Sequence, residues 1–253
     1  DGITAVDAYN GTILWRRDIT NSLRIAASLD SGSMALGGDS LFVASGNRCI
    51  EINAGNGAER RAFPSPQRAA GPKAQWGLVA IADGVLLGST VIAASPYRMW
   101  DGKPTGDVYG GAMVCSDALF GMDMRSGARL WACSPAGMIP NPAIAAGDGR
   151  VFFVESADPE TKKTGNGRMS AQTLFGKGAF LVALDVRSGR QAWRREVDLK
   201  AVGHALYLSY ADGVVAITGT KSAGGSAKYE LWAFNAADGK EAWHVVQPDN
   251  IRM

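Results

Sequence analysis

The residues best suited to holding a ligand or partner stand in three connections of the sequence. Tyr97, Arg98, Trp100 and Tyr109 lie between 91 and 113, Arg168 lies between 157 and 178, and Arg68, Lys73 and Trp76 fall in or beside a third, next to Gln75. Aromatic rings offer a large apolar area, and a guanidinium can grip a carboxylate or phosphate through two parallel bonds. Such a set suits a protein surface or an anionic ligand. A plainer reading stands beside it: Tyr97, Trp100 and Tyr109 anchor their loop, and the Gly-rich stretch Asp158 to Arg168 is merely mobile.

The other reactive side chains point to no particular chemistry. Cys49, Cys115 and Cys133 form no CxxC pair and have no nearby His, so no metal site is expected. Cys115 and Cys133 fall close to facing each other on one hairpin, which leaves a disulfide open, although buried free thiols are the favoured reading. His204 leads an inner strand and His244 follows a tryptophan; both read as structural. With only these two His and no Gly-x-Ser-x-Gly, no nucleophile with its base is found, and catalytic residues stay unassigned.

Whatever these residues do, a repeat must position them. Asp or Asn, then Gly four residues on, then Trp four further recurs as Asp7-Gly11-Trp15, Asp123-Gly127-Trp131, Asp185-Gly189-Trp193 and Asn235-Gly239-Trp243. A worn copy, Asn53-Gly57, has Arg61 where the Trp should stand. The residue before the Asp/Asn is apolar (Val6, Ile52, Met122, Leu184, Phe234), and the one before that is small except at Glu51. Alternation of this kind marks a β-strand. The repeat therefore reads as a hairpin: the Asp/Asn side chain accepts backbone N–H groups two residues on, the Gly takes positive φ, and the Trp returns on the second strand as a wedge between sheets. In the worn copy Phe63, two residues past Arg61 on the same strand face, is the candidate for the missing aromatic.

A second turn precedes each hairpin, at Asp39-Ser40, Asp83-Gly84, Asp148-Gly149 and Asp212-Gly213, with an apolar strand after it. Each unit then has four antiparallel strands, A to D, and the repeat spacings of 46, 70, 62 and 50 residues suit the blades of a β-propeller. The expected fold is all-β, a propeller of four-stranded antiparallel blades at about 1–18 (half a blade), 33–63, 76–133, 142–197 and 203–247. About four and a half blades are expected, as part of a seven- or eight-bladed ring. In such a blade the A–B and C–D turns share one face of the disc. Here these turns are all tight, whereas insertions 91–113, 157–178 and 220–228 lie on the opposite face. Long loops favour function, so that face is the expected binding face.

The stretch from Leu181 to Trp193, LVALDVRSGRQAW, resembles the repeat of pyrroloquinoline-quinone (PQQ) propellers, the quinoprotein alcohol dehydrogenase-like superfamily. WD40 and kelch marks fit less well. The resemblance implies one of two functions. The first is a noncatalytic scaffold like the outer-membrane assembly lipoprotein, which binds protein and no cofactor. The second is a dehydrogenase oxidising an alcohol or sugar with PQQ and Ca²⁺, its active residues partly outside this segment. Family members of the second kind often carry an adjacent Cys-Cys pair, which this sequence lacks. No calcium ligand or catalytic Asp of the family can be carried onto a position here. The resemblance also implies a bacterial, periplasmic or envelope location.

Composition narrows the partners. Twenty-six Lys and Arg against 24 Asp and Glu give a net charge of +2 with no basic run, which leaves no footprint for nucleic acid. The most apolar stretch, 76–95, is broken at Asp83-Gly84, so no transmembrane helix is expected. The short tail after Pro248 cannot supply the two strands that would precede Asp1 in a whole blade. An open sheet edge, and some association through it, is therefore expected.

Overall fold

The computed structural model describes residues 2–22, 30–66, 74–93, 95–96, 111–223 and 226–247. It is a row of antiparallel sheets, each built on a meander of strands. Strands β1 (Gly2–Val6) and β2 (Ile13–Asp18) form a two-stranded half blade. Blade 1 is β3 (Met34–Gly37), β4 (Ser40–Ser45), β5 (Arg48–Asn53) and β6 (Glu59–Pro64). Blade 2 is built on β7 (Ala74–Ala82), β8 (Val85–Ile92), β9 (Met113–Asp123) and β10 (Arg129–Cys133). Two short strands, β11 (Ile139–Pro140) and β14 (Arg168–Met169), also pair with β9. Blade 3 is β12 (Ile144–Gly147), β13 (Arg150–Ser156), β15 (Ala179–Asp185) and β16 (Gln191–Val197), and blade 4 is β17 (Val202–Ala211), β18 (Val214–Ala223), β19 (Ser226–Asn235) and β20 (Glu241–Val246). No helix among the described residues is long and apolar enough to cross a membrane.

The repeat hairpin has the geometry its residues require. Asp123 Oδ1 accepts from the N–H groups of Arg125 and Ser126 at 3.1 and 2.7 Å, and Asn53 and Asp7 hold their turns in the same way. The turn glycine is left-handed, with φ of 76° at Gly127 and 67° at Gly189. A Cβ on Gly189 would sit 2.6 Å from the Trp131 ring, so glycine is needed both for φ and for the approach of the neighbouring blade. The A–B turns at Asp83-Gly84, Asp148-Gly149 and Asp212-Gly213 have positive φ at both residues, the condition for a two-residue hairpin whose twist matches its strands. In blade 1 the turn is Gly38-Asp39 and not Asp39-Ser40: Gly37 pairs with Ser40, which is already in the strand.

One lock recurs between blades. The indole Nε1 of Trp15 donates to Ala54 O, that of Trp131 to Val186 O and that of Trp193 to Ala236 O, at 2.8 to 2.9 Å. In every case the acceptor is the residue after the Asp/Asn of the next blade. The amide of that same residue bonds back to its own blade's A–B turn, as in Val186 N to Gly149 O at 2.9 Å. Each wedge thus satisfies a buried indole N–H and covers an apolar strand: Trp131 packs with Val182, Leu184 and Val186.

The worn copy divides the role of the Trp between two residues. Phe63 is buried and lies against Gly127, where the other blades place the indole. Arg61 takes over the donor, bonding the carbonyls of Met124 and Arg125. Its cross-strand partner is Glu51, the one non-small residue at that position, and the pair joins at 2.5 Å. The two departures from the pattern therefore compensate each other.

Two loop expectations are overturned. The stretch 158–168 is not a mobile loop: it contains a 3-10 turn at Pro159–Lys163, and β14 pairs Arg168 with Val114 and Met169 with Met113 of the preceding blade. The third insertion, 220–228, is no loop either, because β18 and β19 stay paired out to Ala223 and Ser226.

Candidate functional site

The elaborated face over blades 2 and 3 is a constructed surface. Helix α1 (Ala171–Phe175) begins at Ser170, whose Oγ accepts from Thr173 N at 3.2 Å, and buries Ala171, Leu174 and Phe175. Ser156 Oγ donates to Leu174 O and fixes the helix to the end of β13. Asp158 caps the 3-10 turn by accepting from Glu160 N, and it pairs with Lys177 at 3.0 Å. The Lys177 hydrogen bond holds the Asp158 carboxyl below its ordinary value. Thr161 Oγ1 donates to Asp158 O and accepts from Met138 N, tying the insertion to the connection between the two blades.

Arg168 joins the two insertions. Its Nε donates to Ser95 O at 2.7 Å and its Nη2 to Pro96 O at 3.4 Å, while Ser95 Oγ donates to Asn166 O. Gly167 has φ of 68°, and a Cβ there would fall 2.0 Å from Ser95 Oγ. The start of the first insertion is therefore held by the second.

Under this surface lies a half-buried set of charges. Glu155 accepts from Arg194 Nε at 2.8 Å and from Ala136 N at 2.7 Å, and the Arg194 guanidinium lies 3.3 Å from the centre of the Phe180 ring. Lys162 Nζ donates to Ser134 Oγ at 2.9 Å; burial lowers its pKa, while Asp117 and Glu155 pull it back up. Thr90 Oγ1 donates to Asp117 at 2.5 Å. Burial raises the thiols of Cys133 and Cys115 above the ordinary cysteine value. Asp117, Glu155 and Asp158 each have a donor, so the arrangement presents a hydrogen-bonded surface. Glu160, Lys163, Gln172 and Lys177 stand exposed on it.

The sequence-derived candidates are placed as follows. Arg68, Lys73, Tyr97, Arg98, Trp100 and Tyr109 lie outside the described residues. Trp76 is a correction: it is fully buried, its Nε1 donates to Leu78 O at 2.7 Å, and its ring meets Phe120 edge-on at 4.9 Å. It is core, because β7 turns it between blades 1 and 2 and not toward solvent. Arg168 stands on the expected face, with its guanidinium on backbone carbonyls. The cysteines are unbridged thiols: Cys133 pairs with Leu119 while Cys115 faces Pro140, an offset too long for a disulfide between them. His244 Nε2 lies 2.7 Å from Glu230 Oε1, and its ring stacks on Trp232 at 5.3 Å.

Sequence reasoning missed a buried polar chain behind this face. Ser89 Oγ accepts from Leu78 N at 2.7 Å, Ser116 Oγ lies 2.8 Å from Ser89 Oγ and donates to Asn141 Oδ1 at 2.5 Å, and Asn141 Nδ2 donates to Asp30 Oδ1 at 3.0 Å. Isolated Ser and Asn residues give no periodic signal, and only the tertiary fold brings them together.

The comparisons agree with this architecture. Residues 116–252 match the family described as outer membrane protein assembly factor BamB. No curated protein sequence matches the chain. Among solved structures, the quinohemoprotein alcohol dehydrogenase of Comamonas testosteroni is 12% identical with a TM-score of 0.53, over 100% of this chain and 40% of that one. The quinohemoprotein alcohol dehydrogenase ADHIIG of Pseudomonas putida is 14% identical with a TM-score of 0.52, over 96% and 39%. The Pan2 WD40 domain of Neurospora crassa is 8% identical with a TM-score of 0.53, over 94% and 57%. The chain spans about two fifths of the length of the dehydrogenases, and at these identities the likeness concerns the fold. With the family pattern covering more than half of the chain and its repeat lock present at successive blades, the chain belongs to the PQQ-like-repeat β-propellers, in the family described as outer membrane protein assembly factor BamB.

Proposed function

We propose that the chain is a noncatalytic binding module of the bacterial cell envelope, presenting the face of insertions 91–113 and 157–178 to a protein partner. The observation that carries this reading is that insertion 157–178 braces both ends of insertion 91–113, Arg168 holding Ser95 and Pro96 and β14 pairing with Met113 and Val114 of the neighbouring blade. Such cross-bracing suits a docking platform, whose parts must keep their spacing, and differs from a lid that opens for a small substrate. The family description, an assembly factor, supports the same reading. In the PQQ and Ca²⁺ alternative, with active residues partly outside this segment, Trp76 is not the residue that stacks on the quinone, since its ring is sealed against Phe120.

The test is capture from an envelope extract by the immobilised chain, with bound proteins identified by mass. The expected catch is an outer-membrane assembly component, reduced at least tenfold by Lys163→Glu with Lys177→Glu and unchanged by Arg125→Glu on the opposite face. Equal capture by all three proteins would overturn the reading. Saturable micromolar binding of PQQ with Ca²⁺ in calorimetry would favour the dehydrogenase instead.

A further inference from the structure

Three Asn-Gly pairs occur in the sequence, Asn10-Gly11, Asn56-Gly57 and Asn166-Gly167. In such a pair the glycine amide nitrogen can attack the asparagine side-chain carbon, because glycine has no side chain to screen it. All three asparagines are exposed, and the Oδ1 of each accepts from the backbone N–H two residues on: Thr12 at 2.8 Å, Ala58 at 3.0 Å and Arg168 at 3.0 Å. At Asn166 the hydroxyl of Thr164 adds a second donor at 3.3 Å. These bonds polarise the side-chain carbonyl, so all three electrophiles are primed alike.

The three nucleophiles differ. Gly11 N donates to Asp7 O at 2.8 Å and Gly57 N to Asn53 O at 2.9 Å, bonds that lie inside the repeat turn itself. Gly167 stands in no such turn: its carbonyl accepts from Cys115 N at 2.9 Å, and among the described residues its own N–H meets no acceptor. An amide that gives up no hydrogen bond attacks over a lower barrier, and the net worth of one backbone bond is about tenfold in rate. Glycine is also required here, since its φ is 68° and a Cβ would run into Ser95. The close approach of the two insertions thus places an Asn-Gly pair at the brace between them.

We propose that Asn166-Gly167 is a self-modifying site whose reaction with water releases insertion 91–113 from its brace. Gly167 N bonds to Asn166 Cγ, the Cγ–Nδ2 bond breaks, and the side-chain nitrogen leaves as ammonia with the glycine amide proton. Water then opens the cyclic imide at either carbonyl. Opening at Cγ leaves aspartate; opening at the main-chain carbon leaves isoaspartate, in which the chain runs through the side chain and is one carbon longer. In isoaspartate the main-chain carbonyl that accepted from Ser95 Oγ at 2.9 Å has become a free carboxylate. The longer link carries Gly167 O away from Cys115 N and the Arg168 guanidinium away from Ser95 O. The change is irreversible and needs no enzyme.

Ageing the 253-residue chain in mildly alkaline buffer, followed by peptide mapping by mass, tests this. Asn166 should convert from amide to acid about tenfold faster than Asn10 and Asn56, and an isoaspartate methyltransferase should label the peptide that carries it. In denaturant the three sites should convert at similar rates, because the turn bonds that protect Gly11 and Gly57 are gone. Hydrogen exchange at the Cys115 amide should quicken in the aged chain. It should stay slow in aged Asn166→Gln, whose longer side chain must close a larger ring. Conversion of Asn10 or Asn56 as fast as Asn166 in the folded chain would overturn the proposal. So would the same gap between the sites in denaturant, which would trace it to local sequence and not to the fold. An aged, converted chain whose Cys115 amide exchanges as before would overturn the release of the brace.

Discussion

The junction between blades 2 and 3 and the junction between blades 1 and 2 solve one problem with different residues. At the first, a single Trp131 fills the space over Gly189, lies across from the small Gly121 and bonds Val186 O. At the second, Phe63 fills the space over Gly127, Arg61 makes the carbonyl bonds, and Glu51 stands where a small residue would be. What is kept is a filled gap and a satisfied carbonyl; the residue type is free to change if its cross-strand partner changes with it. A Trp needs a small residue opposite because its ring lies over that position, whereas an Arg needs a carboxylate there.

The strongest way to break the comparison is to remove the one-residue solution. Trp193→Ala or Trp131→Ala should cost about 3–5 kcal/mol, since each deletes a buried ring and leaves a cavity between sheets. Thermal melts would check it, and a loss under about 1 kcal/mol would mean that the indole does not hold the blades together.

A sharper test transplants one solution into the other. Arg61→Trp alone should destabilise by about 2 kcal/mol, because the ring collides with Phe63 and Glu51 loses its partner. Adding Glu51→Ala and Phe63→Arg recreates the pattern of the other blades and should restore stability to within about 1 kcal/mol of wild type. Denaturant titration would measure both; a triple variant no better than Arg61→Trp would show that the two junctions are not interchangeable.

The smallest effect separates Asp turns from Asn turns. Backbone and side-chain bonds from Ser126 and Ser188 lower the pKa of Asp123 and Asp185 below the ordinary carboxylate value, and lowered acids stabilise above that value and cease to do so as pH falls through their own. The turns at Asn53 and Asn235 have nothing to titrate. Asp123→Asn with Asp185→Asn should therefore flatten the acid limb of the stability profile below about pH 4 while leaving neutral stability nearly unchanged. Melting temperatures between neutral pH and about pH 2 would show it.

Much of this was legible in the sequence because a propeller writes its contacts into a fixed period. The Asp, Gly and Trp positions required only that one hairpin be recognised, and the blade order followed. The compensated junction was also legible, in that Glu51 and Arg61 both depart from the pattern, yet their pairing in register emerges only once the strands are aligned. The site was harder to read. Trp76 looks like a surface aromatic beside Arg68 and Lys73, and nothing local says that β7 turns it inward. Insertion 157–178 looks like a polar linker because its ordering comes from a strand pairing with β9, more than fifty residues away, and from three buried side chains in a helix of five residues.

That pairing has a consequence for how the molecule comes apart. Blades in contact only with their neighbours open by fraying from the ends, each exchanging its amide protons at its own rate. With β14 of blade 3's insertion woven into blade 2, neither of these two blades can open alone without tearing hydrogen bonds of the other. Blades 2 and 3 therefore open as one cooperative unit and share a single exchange rate.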